Sequence, residues 1–496
     1  MTNNQSVLPL NWSEASLGEL GTWSGGGTPS KANKSFWTHG TIPWVSPKDM
    51  KFGRVRGAAD SVTEDAIDQS SAKLIPSNSI LMVTRSGILA HTFPVAVTEC
   101  AVAVNQDLKT LTTFDEINPD FLTWYLRAQN YRILKDCAKH GTTVASIDTD
   151  RLKKVSVPVA PLNEQRRIVE KIETLFARLD QGEAALREVQ ALLARYRQSV
   201  LKAAVTGELT ADWRAENAHR LEHGRDLLER ILQTRRENWQ GRGTYKEPDT
   251  PDTTDLPELP EGWVWTSLDA LLTHLTSGSR GWKKYYGRGE GVFIMAQNVR
   301  PMRFDLSEKF RVDPPADSPD AIRSETRKDD ILITIVGANT GDVCRFPSDE
   351  RRHYVCQSVA LLRPAERTLS RFLEMFLASK GAGRDQLEKF IYGAGRPHLS
   401  FEQLRSVAIP LPPLEEQAEM MTRVNEKLSE IQQVEDARQT ELTRSAALQQ
   451  SILKDAFAGR LVPQDPDDDP AAELLVRIRA AREAAPTKPS RRKTRA

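Results

Sequence analysis

The chain has 496 residues, 39% hydrophobic and 27% charged, the proportions of an ordinary soluble globular protein with room for several cores. Its 68 basic and 67 acidic side chains leave a formal charge of +1. That excludes a uniformly basic coat, so any nucleic-acid surface must come from local arrangement of charge. Cys100, Cys137, Cys344 and Cys356 form no CxxC pair, and buried free thiols in a reducing cytosol are expected rather than a metal site or a disulfide framework. Met1 to Trp12 has no basic flank followed by an apolar run, so no signal peptide is expected. The strongest apolar stretches, such as Ile331 to Val336, are strand-sized, so no membrane span is expected and the location implied is cytoplasmic.

Residues 1–160 read as a mixed domain of short strands. Gly25-Gly26-Gly27-Thr28-Pro29 and Ile42-Pro43 punctuate it, and Ile80 to Val83 and Val95 to Val97 are apolar strand candidates between turn signals. A helix is expected from Asp120 to about Cys137. The domain closes on Val155-Ser156-Val157-Pro158, where proline should stop a strand.

Residues 161–207 change character. Ile168, Ile172, Leu175, Leu179, Gly182, Leu186, Val189, Leu193, Tyr196 and Val200 alternate in steps of four and three, a heptad pattern broken only by Gly182. Pro158 and Pro161 lie outside the start, Glu164 falls in the first turn, and Gly207 fits a C-cap. A helix of that length is a rod of roughly 65 Å and needs a partner for its seam.

Residues 208–260 form a connector, with a helix through Leu227-Leu228-Glu229-Arg230-Ile231 and an extended Pro-, Asp- and Thr-rich linker from Gly241 to Pro260. Residues 261–412 make a second domain. Residues 413–459 make a second long helix, striped by Val424, Leu428, Ile431, Val434, Leu442, Leu448 and Ile452 and interrupted by Lys427, Arg438 and Glu441. Residues 460–496 hold a short helix and a basic tail with Lys488, Arg491, Arg492, Lys493 and Arg495.

The second half repeats the first. Pro161-Leu162-Asn163-Glu164-Gln165 recurs as Pro413-Leu414-Glu415-Glu416-Gln417, and Gln198-Ser199-Val200-Leu201-Lys202 as Gln450-Ser451-Ile452-Leu453-Lys454, both at an offset of 252. Gly207-Glu208-Leu209 recurs as Gly459-Arg460-Leu461 at the same offset, whereas Ile80-Leu81, Gln106 and Phe121-Leu122 align with Ile331-Leu332, Gln357 and Phe372-Leu373 at 251. A period so long means duplicated domains, not a solenoid. Trp12 and Trp263 open the two domains at matching places, which marks them as core anchors rather than base-stacking platforms. The expected fold is α+β: two mixed α/β domains joined by two long helices forming a coiled coil, with a pseudo-two-fold internal repeat. Parallel and antiparallel pairing are both sterically open; the symmetry of the repeat favours antiparallel.

The sequence holds no recognised catalytic motif. There is no Walker lysine loop, GxGxxG after a strand, HExxH or GxSxG elbow. Gly25-Gly26-Gly27 lacks the lysine and helix that cradle phosphate, and His39, His91, His140, His274, His353 and His398 show no metal-ligand spacing. Asp313-Pro314-Pro315 is followed by Ala316, which breaks the amino-methylating motif. A duplicated architecture without catalytic residues points to recognition.

The Pro-Leu-x-Glu-Gln start of each long helix and the Gln-Ser-Val/Ile-Leu-Lys…Gly-x-Leu end resemble the helical regions of the specificity subunits of type I restriction-modification systems. Ser277-Gly278-Ser279-Arg280-Gly281-Trp282…Lys284-Tyr285-Tyr286 and Gly25-Gly26-Gly27-Thr28-Pro29-Ser30…Trp37…Gly40-Thr41-Ile42-Pro43-Trp44 are similar to target recognition domains of that family. The resemblance covers nearly the whole chain and also favours antiparallel helices. It implies a subunit without catalytic residues, cofactor or metal of its own. Each domain would read one half of a split, asymmetric target on double-stranded DNA. Two methyltransferase subunits and two motor-nuclease subunits would complete the complex and use S-adenosylmethionine, ATP and Mg.

Base reading needs Arg, Asn, Gln and small polar side chains, and positioning needs Lys, Ser, Thr and amides at phosphates. Loops of the first domain offer Thr28, Ser30, Lys31, Lys48, Arg85, Ser86, Asn105, Gln106 and Thr142. Those of the second offer Ser279, Arg280, Lys283, Lys284, Gln297, Asn298, Asn339, Thr340, Gln357, Arg396 and His398. For each, a solvated loop residue or a fold-stabilising hydrogen bond is the competing explanation. At the level of the whole chain the competitor is a coiled-coil adaptor that binds protein partners; exposed aromatic and Met anchors would mark it.

Overall fold

The computed structural model describes residues 8–51, 53–139, 144–239, 243–279, 281–393 and 395–484. The chain divides into two compact units, Met1–Leu186 with Gln439–Ala496, and Arg187–Arg438. Two long helices, Leu162–Val205 and Leu414–Ala456, each contribute one part to each unit. The fold is mixed α+β.

In the first unit, apolar runs form central strands because both faces are covered. The order of its five-stranded sheet is Gly21–Gly25, Leu108–Thr113, Ser79–Val83, Val95–Thr98, Arg54–Val55. Every residue of Ser79–Val83 and Val95–Thr98 is buried. A four-stranded sheet sets Ile42–Val45 parallel to Val102–Val104. The helix expected from Asp120 to Cys137 is two helices, Pro119–Ala128 and Asn130–Asp136, broken at Gln129. The break lets Asn130 Oδ1 accept the Phe93 amide at 2.6 Å. Pro158 does not stop its strand: Ser156–Val159 pairs antiparallel with Ser13–Ser16, Pro158 opposite Glu14. A two-stranded sheet leaves each strand an edge, where a missing N–H costs nothing.

The second unit is also built of short strands, in two-, three- and four-stranded sheets. Leu272–Ser277, Val359–Pro364, Ile331–Thr334 and Val343–Arg345 form its four-stranded sheet. Tyr286–Ile294 runs parallel to His353–Val355, and Val264–Ser267 pairs with Ala408–Leu411. The connector helix spans Gly224–Glu237. Cys137, Cys344 and Cys356 are buried free thiols, and Cys100 is half-buried.

The duplicated motifs turn out to be the structural hubs of each unit. Trp12 is 6% and Trp263 5% exposed. The Trp12 indole donates to Glu164 Oε2 at 3.0 Å and the Trp263 indole to Glu416 Oε2 at 2.8 Å. Gln165 donates to the Ala160 carbonyl at 2.9 Å and Gln417 to the Pro412 carbonyl at 3.0 Å, covering chain just ahead of each long helix. Segments that follow the long helices supply the remaining donors. Gln464 Nε2 meets Glu164 Oε1 at 2.6 Å, and Thr210 Oγ1 meets Glu416 Oε1 at 2.7 Å. Gly207 and Gly459 end their helices at φ +77° and +68°, the left-handed conformation that favours glycine. The short helices dock alike: the Ala471 amide donates to the Asn11 carbonyl at 2.9 Å, and the Gly224 amide to the Gly262 carbonyl at 2.8 Å.

The apolar stripe of the first long helix is buried or half-buried except at Gly182 and Tyr196. On the second, Val434 and Leu448 are 44% and 46% exposed and lie off the stripe. Positions 424, 428, 431, 435, 438, 442, 445, 449 and 452 are buried or half-buried, in an alternation of four and three, and Lys427 beside them is half-buried too. The pattern therefore runs through the polar Glu435, Arg438, Ser445 and Gln449. Within the first unit, Ser445 Oγ donates to Glu183 Oε1 at 2.9 Å.

Candidate nucleic-acid interface

In the first unit the chain turns sharply where strand Val102–Val104 ends. Asn105 is buried, its Oδ1 accepts the Asp107 amide at 3.0 Å, and its Nδ2 donates to Asp107 Oδ2 at 3.1 Å. This turn puts Gln106 at an exposed tip. The glycine loop crosses the strand end so tightly that a Cβ on Gly26 would lie 1.9 Å from the Asn105 carbonyl oxygen. The crossing brings Thr28 Oγ1 onto Gln106 Oε1 as a donor. Strand Ser79–Val83 feeds the same cluster. The Arg85 amide donates to the Asp107 carbonyl at 3.2 Å, and its guanidinium pairs with the Asp107 carboxylate at 3.0 Å. The Ser86 amide reaches the Ala145 carbonyl at 3.1 Å, and its hydroxyl accepts the Ile88 amide at 3.4 Å.

Thr28, Arg85, Ser86, Asn105 and Gln106 are thus brought together. Ser30 and Lys31 extend exposed from the same loop. Lys48 pairs with Asp60 at 2.9 Å, which raises its ammonium pKa, and no contact among the described residues draws it into the cluster. Thr142 and His140 lie outside the described residues.

The second unit builds the equivalent turn after strand His353–Val355. A Cβ on Gly278 would lie 1.8 Å from the Val355 carbonyl oxygen. Cys356, its thiol pKa raised by burial, accepts the Ser358 amide at 3.3 Å. Gln357 stands exposed at the tip, and its side chain makes no hydrogen bond among the described residues. Beside it, Thr340 is 4% exposed and donates to the carbonyls of Gly337 and Pro397 at 2.7 and 3.1 Å. His398 bridges Val336 and stacks on Tyr392 with ring centres 5.4 Å apart. Arg396 is exposed next to it, and Asn339 is half-buried.

Asn298 is 2% exposed, accepts the Met295 amide at 2.9 Å and donates to the carbonyls of Asp305 and Glu308 at 2.8 and 2.9 Å. Like Asn105 and Thr340, it shapes a loop from within. Gln297 is exposed and donates to Glu308 at 3.0 Å. Ser279 hydrogen-bonds Asp320 and so lowers its carboxyl pKa, with Arg323 adding to the effect. Ser279 and Lys284 line a cavity of about 390 Å³ with Trp282, Tyr285 and Pro319. Lys284 Nζ sits 4.9 Å from the centre of the Tyr285 ring, a cation–π distance. Lys283 is exposed, and Arg280 lies outside the described residues, as does the basic tail.

Sequence reading missed Asp107, Tyr392 and Asp320, which orient Arg85, His398 and Ser279. Asp107 carried a signal, sitting two residues after Asn105 in an Asx-turn spacing; the others are brought near by tertiary folding alone. Among the described residues, no cluster of three or more His, Cys, Asp or Glu is placed to hold a metal. No helix among them is long and apolar enough to cross a membrane.

Each unit presents a polar loop cluster at its strand ends and holds part of both long helices. The family described as type I restriction modification DNA specificity domain matches residues 9–189 and 324–444, and the chain belongs to that family. It is similar to the type I restriction enzyme StySPI specificity subunit of Salmonella potsdam, 27% identical over 76% of this chain and 74% of the relative. The EcoR124I/EcoR124II specificity subunit of Escherichia coli is 42% identical over 35% of this chain, an alignment that spans 45% of that relative. Among solved structures, a chain from work on complex assembly and conformational transition of the type I R-M system aligns with a TM-score of 0.60 at 20% identity, covering 92% of this chain and 99% of that one. The HsdS subunit from Thermoanaerobacter tengcongensis aligns with a TM-score of 0.55 at 19% identity, covering 93% and 100%. These two likenesses concern the fold.

Proposed function

We propose that this chain is the DNA-reading subunit of a type I restriction-modification complex, inactive alone. Residues 1–160 read one half of a bipartite asymmetric target on double-stranded DNA and residues 261–412 read the other. The subunit directs adenine methylation, or cleavage, by two methyltransferase and two motor-nuclease subunits in the cytoplasm. S-adenosylmethionine, ATP and Mg belong to those partners. The observation that carries the reading is the pairing of a family match in both halves with loop clusters that share a scaffold and differ in chemistry. Arg85 and Ser86 in one stand where Val336 and Gly337 stand in the other, so two such surfaces read unlike sequences.

The same reading takes the two long helices as an antiparallel coiled coil with a pseudo-two-fold repeat. Support comes from within each unit. Ile168 and Ile172 share a core with Ile452 and Ala456 while Glu183 meets Ser445, so residue numbers run in opposite directions along the contact. In the other unit Val200 and Val205 share a core with Met420 and Val424. The test is a genome-wide map of methylated adenines in a host with and without this chain. A split motif that appears only with the chain is the expected result; maps that do not differ overturn the proposal.

A further inference from the structure

A duplicated scaffold that reads two unlike sequences separates its residues into two kinds. Positions that differ between the halves carry the code. Positions alike in chemistry and place serve something both halves share, and the shared feature of any duplex is its sugar-phosphate backbone. Gln106 and Gln357 are alike in this way. They stand at an offset of 251, the register of the surrounding strands. Each follows a short strand that runs parallel to its neighbour, Val102–Val104 beside Ile42–Val45 and His353–Val355 beside Tyr286–Ile294. Each is exposed. Each turn lies under a glycine crossing that a Cβ would obstruct, at 1.9 and 1.8 Å, so both backbones are pinned where the amide projects.

The residue before each glutamine differs, Asn105 in one and Cys356 in the other, yet both hold the turn by accepting an amide two residues on. The sequence changed while the geometry stayed. In the first unit Thr28 donates to the Gln106 carbonyl oxygen, and the Gln106 NH2 group makes no hydrogen bond among the described residues. That group only donates, and a phosphate oxygen only accepts.

We propose, on the basis of the DNA-reading function above, that Gln106 and Gln357 are a matched pair of phosphate anchors, one per half-site, and carry no sequence information. Thr28 is a positioning residue for Gln106. The code lies instead at positions that differ around them, such as Arg85 and Ser86 against Val336 and Gly337.

The test uses the full chain with its methyltransferase partners. Adenine methylation is mapped for the wild type, Gln106→Ala, Gln357→Ala and Gln106→Glu, and duplexes with and without the motif are titrated. Each alanine variant should keep every base of the motif and lose about tenfold in affinity, the worth of one hydrogen bond to a charged oxygen, on both duplexes alike. Gln106→Glu should lose more, because it sets a carboxylate against a phosphate. Thr28→Val should lower affinity through Gln106 and so add nothing to Gln106→Ala, which a merely structural threonine would not show. A relaxed or altered base in the matching half overturns the proposal in favour of base reading, and so does unchanged affinity. If the wild-type chain adds no motif and binds neither duplex, the DNA-reading function itself falls, a result distinct from either.

Discussion

Glu164 accepts hydrogen bonds from the uncharged Trp12 and Gln464, whereas Glu416 accepts from Arg214 as well as Trp263 and Thr210. Burial raises the Glu164 pKa against the lowering effect of its hydrogen bonds. A carboxyl whose folded pKa lies above its unfolded value holds its proton more tightly when folded. Its contribution to stability is therefore fully present below the unfolded pKa and is lost as pH rises through the folded one. Glu164→Gln removes the titration, so the stability of wild type relative to the variant should be highest below the ordinary glutamate pKa and fall as pH rises above it. Urea unfolding at a series of pH values reads this; a relative stability of wild type that rises with pH contradicts it. At the other hub, Glu416→Ala leaves the Arg214 side chain, 15% exposed, without its carboxylate. Breaking such a pair costs about 3–5 kcal/mol. Faster hydrogen exchange in Val264–Ser267 and Ala408–Leu411 is the expected sign.

At the scale of elements, the two long helices, their proline-marked starts and their glycine ends were legible in the sequence, because heptad spacing and left-handed glycines are local properties. The stripe of the second helix was not fully legible. Val434 and Leu448 drew the reading by being apolar, yet the three-four spacing runs through Glu435, Arg438, Ser445 and Gln449. A long charged side chain can lie along a half-buried seam with its head in water, so composition alone misplaces the face. Val434→Lys should consequently change stability by no more than about 0.5 kcal/mol, while Ile431→Lys, at a position 2% exposed, should cost several-fold more; thermal unfolding of both variants compares them. Gly182 breaks the first stripe in open space, with nothing within 4 Å of an added Cβ. Gly182→Ala should stabilise the helix by about 1 kcal/mol. In the loops, the duplication fixed which residues correspond, and the strand ends gathered Thr28, Arg85, Ser86 and Gln106. Burial of Asn105, Asn298 and Thr340 was not legible, because an Asx turn and an exposed polar loop have the same composition.

For the whole molecule, a formal charge of +1 gives no general attraction to DNA, so the proposed binding calls for local basic clusters, for which the exposed Lys283 and Lys284 are candidates. Affinity of the isolated chain for duplex should still fall as salt rises, with a slope set by the few phosphates contacted rather than by net charge. An affinity unchanged between low and physiological salt would favour a protein-binding adaptor. The central claim is that each mixed domain reads one half of the target by itself. Replacing residues 1–160 with the corresponding domain of a related specificity subunit, then mapping methylated adenines in a host that supplies the partner subunits, tests it most directly. The account predicts a hybrid motif: one half replaced by that of the donor, the half read by residues 261–412 retained base for base. A swap that folds and supports methylation yet changes both halves, or neither, contradicts it.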